Sequence, residues 1–263
     1  MGILNITPDS FSDGGRYQNC DLAVEQALLM VAEGADIVDV GGESTRPGSA
    51  RVSAADQIGR VVPIIRALRQ QLPATCTISI DTTLSEVAVA AVKAGAGLVN
   101  DVSAGTDDPL LFKAVAHLGA PIVLMHRQGT PETMQDNPVY ADMVGEVRAY
   151  LEGRANAAIA AGIPHESIII DPGIGFGKKK AHNLQLMAGL SVFVDTGFPV
   201  LLGASRKRFM GAVCHEQAPS ELLGATVATT VLGVMAGIKI FRVHDIKPNR
   251  QAADVTTAIL ASA

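Results

Sequence analysis

Residues 1–15, MGILNITPDSFSDGG, place Leu4 and Ile6 at the end of a buried-looking run and follow them with Thr7, Pro8, Asp9, Ser10, Ser12, Asp13, Gly14 and Gly15, none of which packs a core. The turn that follows this first strand decides between two parallel α/β architectures. A doubly wound open sheet usually sets a glycine-rich nucleotide turn there, and this chain has Thr7-Pro8-Asp9-Ser10-Phe11 instead. Outward from this segment, short β-branched apolar runs alternate with longer stretches of helical periodicity to the end of the chain, the pattern of a parallel sheet. The strands are expected at Gly2–Ile6, Asp36–Val40, Thr77–Ile80, Gly97–Asn100, Pro121–Met125, Ile168–Ile170, Pro199–Leu202 and Lys239–Val243.

Helical spacing of i, i+3, i+4, i+7 is clear in Val24, Ala27, Leu28 and Val31, and again in Ile58, Val61, Val62 and Ile65. Further helices are expected near Ser85–Ala94, Pro109–Leu118, Asp142–Ala161, His182–Leu190, Ser220–Ala236 and Arg250–Leu260. Gly34, Gly95, Gly119, Gly162 and Gly237 stand where C-cap glycines belong. Eight βα units in about 250 residues match the arithmetic of a single (β/α)8 TIM barrel. No linker, low-complexity segment or longer repeat divides the chain, so residues 1–263 read as one domain.

Composition narrows the function classes. The 263 residues are 48% hydrophobic and 18% charged, with a net charge of -5, and no Lys/Arg run is longer than the three of Lys178-Lys179-Lys180. A nucleic-acid partner, which needs a basic face, is not expected. Cys20, Cys76 and Cys214 are odd in number, far apart and form no CxxC pair, which fits a reducing, cytoplasmic location. No apolar stretch reaches the roughly 20 residues of a membrane span, and no signal pattern is present at the start.

In a TIM barrel the active site forms at the C-terminal ends of the strands. Just past the expected strands lie Asn5 and Thr7; Asp39, Glu43, Thr45 and Arg46; Asp81 and Thr82; Asn100 and Asp101; His126; Asp171; Ser205, Arg206 and Lys207; and Arg242, His244 and Asp245. One buried polar residue is commonly structural, but polar residues at this end of nearly every strand mark a site. Asp81, Asn100, Asp171 and Lys207 offer acceptors, an amide and a donor, a set suited to a flat pterin-like or purine-like heterocycle. Arg46, Arg242 and His244, with Thr45 and Gly42 nearby, suit phosphate oxygens. Asn5 is a candidate oxygen ligand for Mg²⁺ carried with a polyphosphate. Gly173-Ile174-Gly175-Phe176-Gly177 lacks the GxGxxG spacing and reads as a tight turn whose interest comes from Asp171. Lys178 to Lys180 read as a solvated loop in which Lys178 is able to steer an anionic substrate, and His117, His165 and His215 as solvated surface residues.

Taken together, MGILNITPDSFSDGG, DVGGESTRPG, SIDT, VNDVSAG, DPGIGFGKKKAHN, GASRKRF and IFRVHD resemble the dihydropteroate synthases, the pterin-binding enzymes of folate biosynthesis. The resemblance implies condensation of 6-hydroxymethyl-7,8-dihydropterin diphosphate with 4-aminobenzoate, Mg²⁺ dependence, sulfonamide targeting and a homodimer. By matching motif, it implies that Asp81, Asn100, Asp171 and Lys207 hold the pterin, with Phe176 also on the substrate. Asn5, Arg242 and His244 would hold the diphosphate and its Mg²⁺, with Thr45 on the substrate and Arg46 near the phosphate or the aminobenzoate. Asp81, Lys207, Arg242 and His244 are the residues expected to take part in catalysis. Thr7–Gly15 and Gly42–Gly48 resemble two mobile loops that order the second-substrate site, where Phe11 is a candidate cap.

The chain carries one variant also seen in the family and departs from the family at one point. Arg208 stands where many members have Ser, leaving only a backbone contact to the aminobenzoate carboxylate. Family members usually carry about 15 or more residues, often a hairpin over the barrel floor, before the first motif; this sequence opens on strand one, so an upstream start or a differently closed floor is expected. Two other readings share the ring-binding set: a pterin-dependent methyltransferase, which has no use for a diphosphate cradle, and a non-catalytic pterin-binding barrel, which has no use for intact loops.

Overall fold

The computed structural model describes residues 1–6, 16–44, 49, 51–130 and 132–262, with residues 16–19 described by backbone alone. The first half runs β1 (Gly2–Asn5), α1 (Arg16–Ala32), β2 (Ile37–Gly41), α2 (Ala54–Gln71), β3 (Thr77–Asp81), α3 (Ser85–Ala94), β4 (Leu98–Asp101) and α4 (Leu111–Leu118). The second runs β5 (Ile122–Met125), α5 (Met143–Ala160), β6 (Ile168–Asp171), α6 (Lys180–Ala188), α7 (Leu190–Val194), β7 (Leu201–Leu202), α8 (Arg208–Cys214), α9 (Leu223–Met235), β8 (Ile240–Phe241) and α10 (Ile246–Leu260).

The strands are parallel and close into a barrel. Strands β1 to β6 pair in chain order and β7 pairs with β8. Isolated parallel bridges Ile170↔Val200 and Gly2↔Val243 join the two sheets on both sides. Ile170 N–H donates to Pro199 O at 2.9 Å and Ile3 N–H to Val243 O at 3.2 Å across these seams. The last two strands are shorter than their sequence patterns. Pro199 has no N–H to give to the ladder, so β7 is reached only at Leu201.

Every position of β4 and β5 is buried, as expected where helices cover the outside and side chains fill the inside. The barrel interior holds a small apolar cluster of Leu98, Val123 and Leu201, with Met1, Ile37, Ile169 and Ile240 partly buried against it. The larger cluster lies between strands and helices and includes Ile65, Leu68, Ile80, Leu111, Leu151 and Phe193.

The helix ends follow local chemistry. Ser53 Oγ accepts from Asp56 N–H at 3.1 Å to cap α2, and Asp142 Oδ1 accepts from Gly145 N–H at 3.1 Å to cap α5. All five glycines named as C-caps adopt positive φ, from +63° at Gly119 to +120° at Gly95. The stretch expected as one helix to Leu190 breaks into α6 and α7 at Gly189, where a Cβ would come within 3.0 Å of Val144 Cγ2 on α5. The seven-residue α8 is too short to show a helical period and was not expected from the sequence.

Candidate active site

Strand register puts the polar residues in rows. Asn5 pairs with Gly41, Gly41 with Asp81 and Asp81 with Asn100, so one row across β1 to β4 carries an amide, a gap, a carboxylate and an amide. The gap is useful: a Cβ on Gly41 would lie 3.5 Å from Asn5 Oδ1 and 3.6 Å from Asp81 Cβ. Two residues earlier on β2 and β3, Asp39 pairs with Ser79, and both are fully buried.

Arg242, just after β8, ties these rows together. Its Nε donates to Asp39 Oδ2 at 2.7 Å and its Nη2 to Asp81 Oδ2 at 2.9 Å, while the side chain keeps 20% exposure. Asp39 Oδ2 also accepts from Asn100 Nδ2 at 3.1 Å. Asp39 therefore orients both the guanidinium and the amide. Its place in the sequence list as one more strand-end acid did not reveal that role, because the contacts span residues 39, 100 and 242. Asp39 Oδ1 and Ser79 Oγ are buried without a hydrogen-bond partner among the described residues.

The other wall comes from β6 and β7. Asp171 Oδ1 accepts from Gly173 N–H at 2.7 Å. Gly203, after β7, leaves space beside this group: a Cβ there would lie 3.7 Å from Asp171 Oδ2 and 4.0 Å from Arg242 Cβ. Lys207 Nζ lies 4.2 Å from the centroid of the Phe176 ring, within cation–π range. His244 Nδ1 lies 3.0 Å from Ser205 Oγ, which also accepts from the His244 backbone N–H at 3.2 Å. The Ser205 hydroxyl has both a proton and a second lone pair to give Nδ1; in the tautomer that accepts the proton there, the ring N–H is on Nε2.

Desolvation dominates the charges. Burial pushes Asp81 up to about 7, opposed by Arg242 and helped by Asp39, and pushes Asp171 up to about 6, opposed by the Gly173 N–H and Lys207. Burial and then Arg242 lower Lys207 to about 8, with Asp171 and Asp81 opposing. Burial, with Arg206 and Arg242, lowers His244 to about 4, so its imidazole is neutral at pH 7. His244 therefore offers hydrogen bonds without charge, whereas Arg242 also carries a positive charge.

Not every strand-end residue faces this space. Asp101 turns back on its own loop, accepting from Ser103 N–H at 2.8 Å and Ser103 Oγ at 2.6 Å. Arg206 and Asp245 pair with each other through bonds of 3.0 and 2.6 Å. Thr82 Oγ1 donates to Gln57 Oε1 at 3.2 Å. Lys178, read as part of a solvated loop, is only 3% exposed and meets His126 Nδ1 at 2.8 Å. Arg208, His117, His165 and His215 are exposed. Thr45, Arg46 and Phe11, with the loop Thr7–Gly15 and most of Gly42–Gly48, lie outside the described residues.

No group of three or more His, Cys, Asp and Glu side chains suited to a metal occurs among the described residues. Asn5 is a neutral oxygen donor at the partly exposed end of β1. That donor set fits a Mg²⁺ ion that arrives with diphosphate and keeps most of its water, since Mg²⁺ is commonly held through few protein ligands plus substrate phosphates.

A family model for pterin binding enzymes matches residues 1–244. The dihydropteroate synthase of Synechocystis sp. is 45% identical over 259 residues, covering 98% of this chain and 89% of that protein. Among solved structures, Yersinia pestis dihydropteroate synthase in a sulfonamide drug complex superposes with a TM-score of 0.92 at 41% identity, covering 99% of this chain and 94% of that one. Xanthomonas albilineans dihydropteroate synthase with 4-aminobenzoic acid gives a TM-score of 0.92 at 44% identity, covering 99% and 92%.

Proposed function

The chain belongs to the pterin-binding enzyme family as a member of the dihydropteroate synthases, and from that premise we propose how its own residues divide the work. The reaction joins 6-hydroxymethyl-7,8-dihydropterin diphosphate to 4-aminobenzoate, giving 7,8-dihydropteroate and diphosphate. Asp81, Asn100, Asp171 and Lys207 hold the pterin ring, with the Phe176 ring against Lys207 closing one side. Arg242 and His244 take the diphosphate, the first by charge and the second through Nε2–H. Thr45 and Arg46 belong to the same anion and second-substrate region.

The observation that carries this division is Arg242, a cation held by Asp39 and Asp81 at 2.7 and 2.9 Å at the boundary between ring set and anion set. In the free protein it covers the charge of Asp81. A diphosphate draws the guanidinium toward its own oxygens, which uncovers Asp81 beside the ring. The exocyclic C–O bond then breaks with its electron pair going to diphosphate, and the cationic carbon is stabilised by the electron-rich pterin and by Asp81. The amine of 4-aminobenzoate forms the C–N bond and loses a proton. Mg²⁺, when bound through Asn5 and the phosphates, supplies further neutralisation of the leaving group's charge.

No protein nucleophile is required. The Ser205–His244 pair lacks the acid of a catalytic triad, because Asp245 is committed to Arg206 instead of to the imidazole.

Replacing Asp171 with Asn tests the division. Calorimetry is expected to show dihydropterin binding lost while free diphosphate binds nearly as to the wild type; equal weakening of both ligands would contradict it.

The chain is further read as one domain that pairs as a homodimer in the cytoplasm. Supporting the dimer, Leu232 and Met235 on α9 and Val255 and Ile259 on α10 are 51 to 62% exposed. Supporting the location, Cys20, Cys76 and Cys214 are free thiols. No single helix among the described residues is long and apolar enough to cross a membrane.

A further inference from the structure

Lys178 is buried although it opens a run of three lysines whose other members, Lys179 and Lys180, are exposed. Its Nζ donates to Phe176 O at 2.9 Å and to His126 O at 3.3 Å, and meets His126 Nδ1 at 2.8 Å. Burial and then Lys178 itself lower His126 to about 3, so the ring is a neutral acceptor, and burial lowers the Lys178 amine in turn to about 7, with Asp171 opposing. The imidazole is fixed in turn by Tyr150, edge-on at 4.9 Å. Burying a lysine amine is expensive even when its donors are satisfied, and the catalytic division above gives it nothing to do.

The loop it holds explains its presence. Gly173, Gly175 and Gly177 adopt φ of +67°, +85° and +64°, a left-handed alternation that only glycine enters without strain. A Cβ at Gly173 would come within 1.9 Å of His126 O, and one at Gly177 within 2.6 Å of Gln128 O. So much backbone freedom needs outside restraint, and successive carbonyls supply the handles. Gly175 O accepts from Gln135 Nε2 at 2.9 Å, Phe176 O from Lys178, Gly177 O from Tyr140 Oη at 2.8 Å and Lys178 O from Asn183 Nδ2 at 3.4 Å. Between Gly175 and Gly177 stands Phe176, whose ring covers Lys207.

We propose that Lys178 is a positioning residue for the pterin pocket: wedged between His126 and the Phe176 carbonyl, it holds the Gly173–Gly177 loop so that the Phe176 ring stays over the Lys207 side chain. It acts through Phe176 and touches no substrate. The inference rests on the assignment of Phe176 and Lys207 to the pterin.

The test is a double-mutant cycle between Lys178→Met, which keeps the side-chain volume and removes the donors, and Phe176→Leu, read as kcat/KM for dihydropterin diphosphate. Lys178→Met alone is expected to lose about tenfold or more, the scale of a small misplacement in a site. In the Phe176→Leu background the same change is expected to cost less than about twofold, because the group it positions is gone. Tyr140→Phe, which releases the neighbouring carbonyl without altering any charge, is expected to give a smaller loss that vanishes in the same background. If Lys178→Met fails to fold, Tyr140→Phe carries the test alone. A folded Lys178→Met enzyme with wild-type kcat/KM, or losses undiminished in the Phe176→Leu background, would overturn the proposal. Failure of the underlying assignment is distinguishable, since Phe176→Leu would then itself leave kcat/KM unchanged.

Discussion

Arg242 and Asp39 show what one residue contributes that its neighbours in sequence do not. The guanidinium has two carboxylate partners in a site where each carboxylate is nearly inaccessible, with Asp39 at 0% and Asp81 at 5% exposure. Arg242→Ala is expected to lower kcat/KM by the equivalent of about 2 to 5 kcal/mol, as for truncating one partner of a buried hydrogen-bonded charge pair. It also strands two carboxylates in the barrel, so thermal stability falls with activity. Steady-state kinetics with unchanged kcat/KM would remove Arg242 from the anion site. The sequence showed Arg242 as a phosphate candidate because Arg, His and a strand end coincide there. It did not show Asp39 as the residue that aims it, because only closure of β8 onto β1 brings residues 39 and 242 together.

At the scale of strands and loops, the sequence located the strand ends but not which of two adjacent polar residues enters the barrel. Side chains alternate along a strand, so Asn100 faces Asp39 while Asp101 braces its own loop. After β7 the same selection is made by backbone strain. Arg206 has φ +56°, and its pairing with Asp245 separates it from Ser205, which meets His244, and Lys207, which meets the Phe176 ring. Lys178 was misread for a related reason: a basic run looks solvated unless the fold supplies acceptors, and those come from His126, fifty-two residues away.

The same scale carries a prediction about the loops. Asp107, after β4, accepts from Arg51 Nη2 at 2.8 Å and from Arg127 Nη2 at 2.7 Å, so it ties the loops after β2, β4 and β5 to one another. The β2 loop holds Thr45 and Arg46. Asp107→Asn is expected to raise the KM for 4-aminobenzoate several-fold, on the order of 1 kcal/mol, with a smaller change in the KM for the dihydropterin diphosphate. Equal shifts in both constants would assign the clamp to general stability.

The whole molecule bears the cost of this site. Asp39, Asp81 and Asp171 share the barrel with Arg242 and Lys207, and burial acts against every charge that has to exist there. For Asp171 the sign follows from its two states. The folded carboxyl titrates at about 6 and the unfolded one near 3.8, so between those values the unfolded chain releases a proton that the fold retains. Stability is therefore lost as pH rises through that window and is level above it, by about 3 kcal/mol or less. Comparing ligand-free wild type with Asp171→Asn by denaturant unfolding from pH 3.5 to 8, the wild type is expected to lose ground between about 4 and 6. A wild type that gains over that range would mean that ion pairing outweighs desolvation at Asp171.

The barrel itself was legible because its evidence is periodic and repeats with each βα unit, which averages out local errors at β7 and α7. The charge balance inside it was not, because burial and pairing belong to the closed barrel and to no single segment.

The most direct measurement is the parallel time course of diphosphate release and 7,8-dihydropteroate formation with purified protein, dihydropterin diphosphate, 4-aminobenzoate and Mg²⁺. The expected result is equal amounts of both products, dependent on 4-aminobenzoate, and strongly reduced together in Arg242→Ala. Dihydropterin diphosphate that binds yet yields no dihydropteroate, or product formation that Arg242→Ala leaves unchanged, would contradict the account.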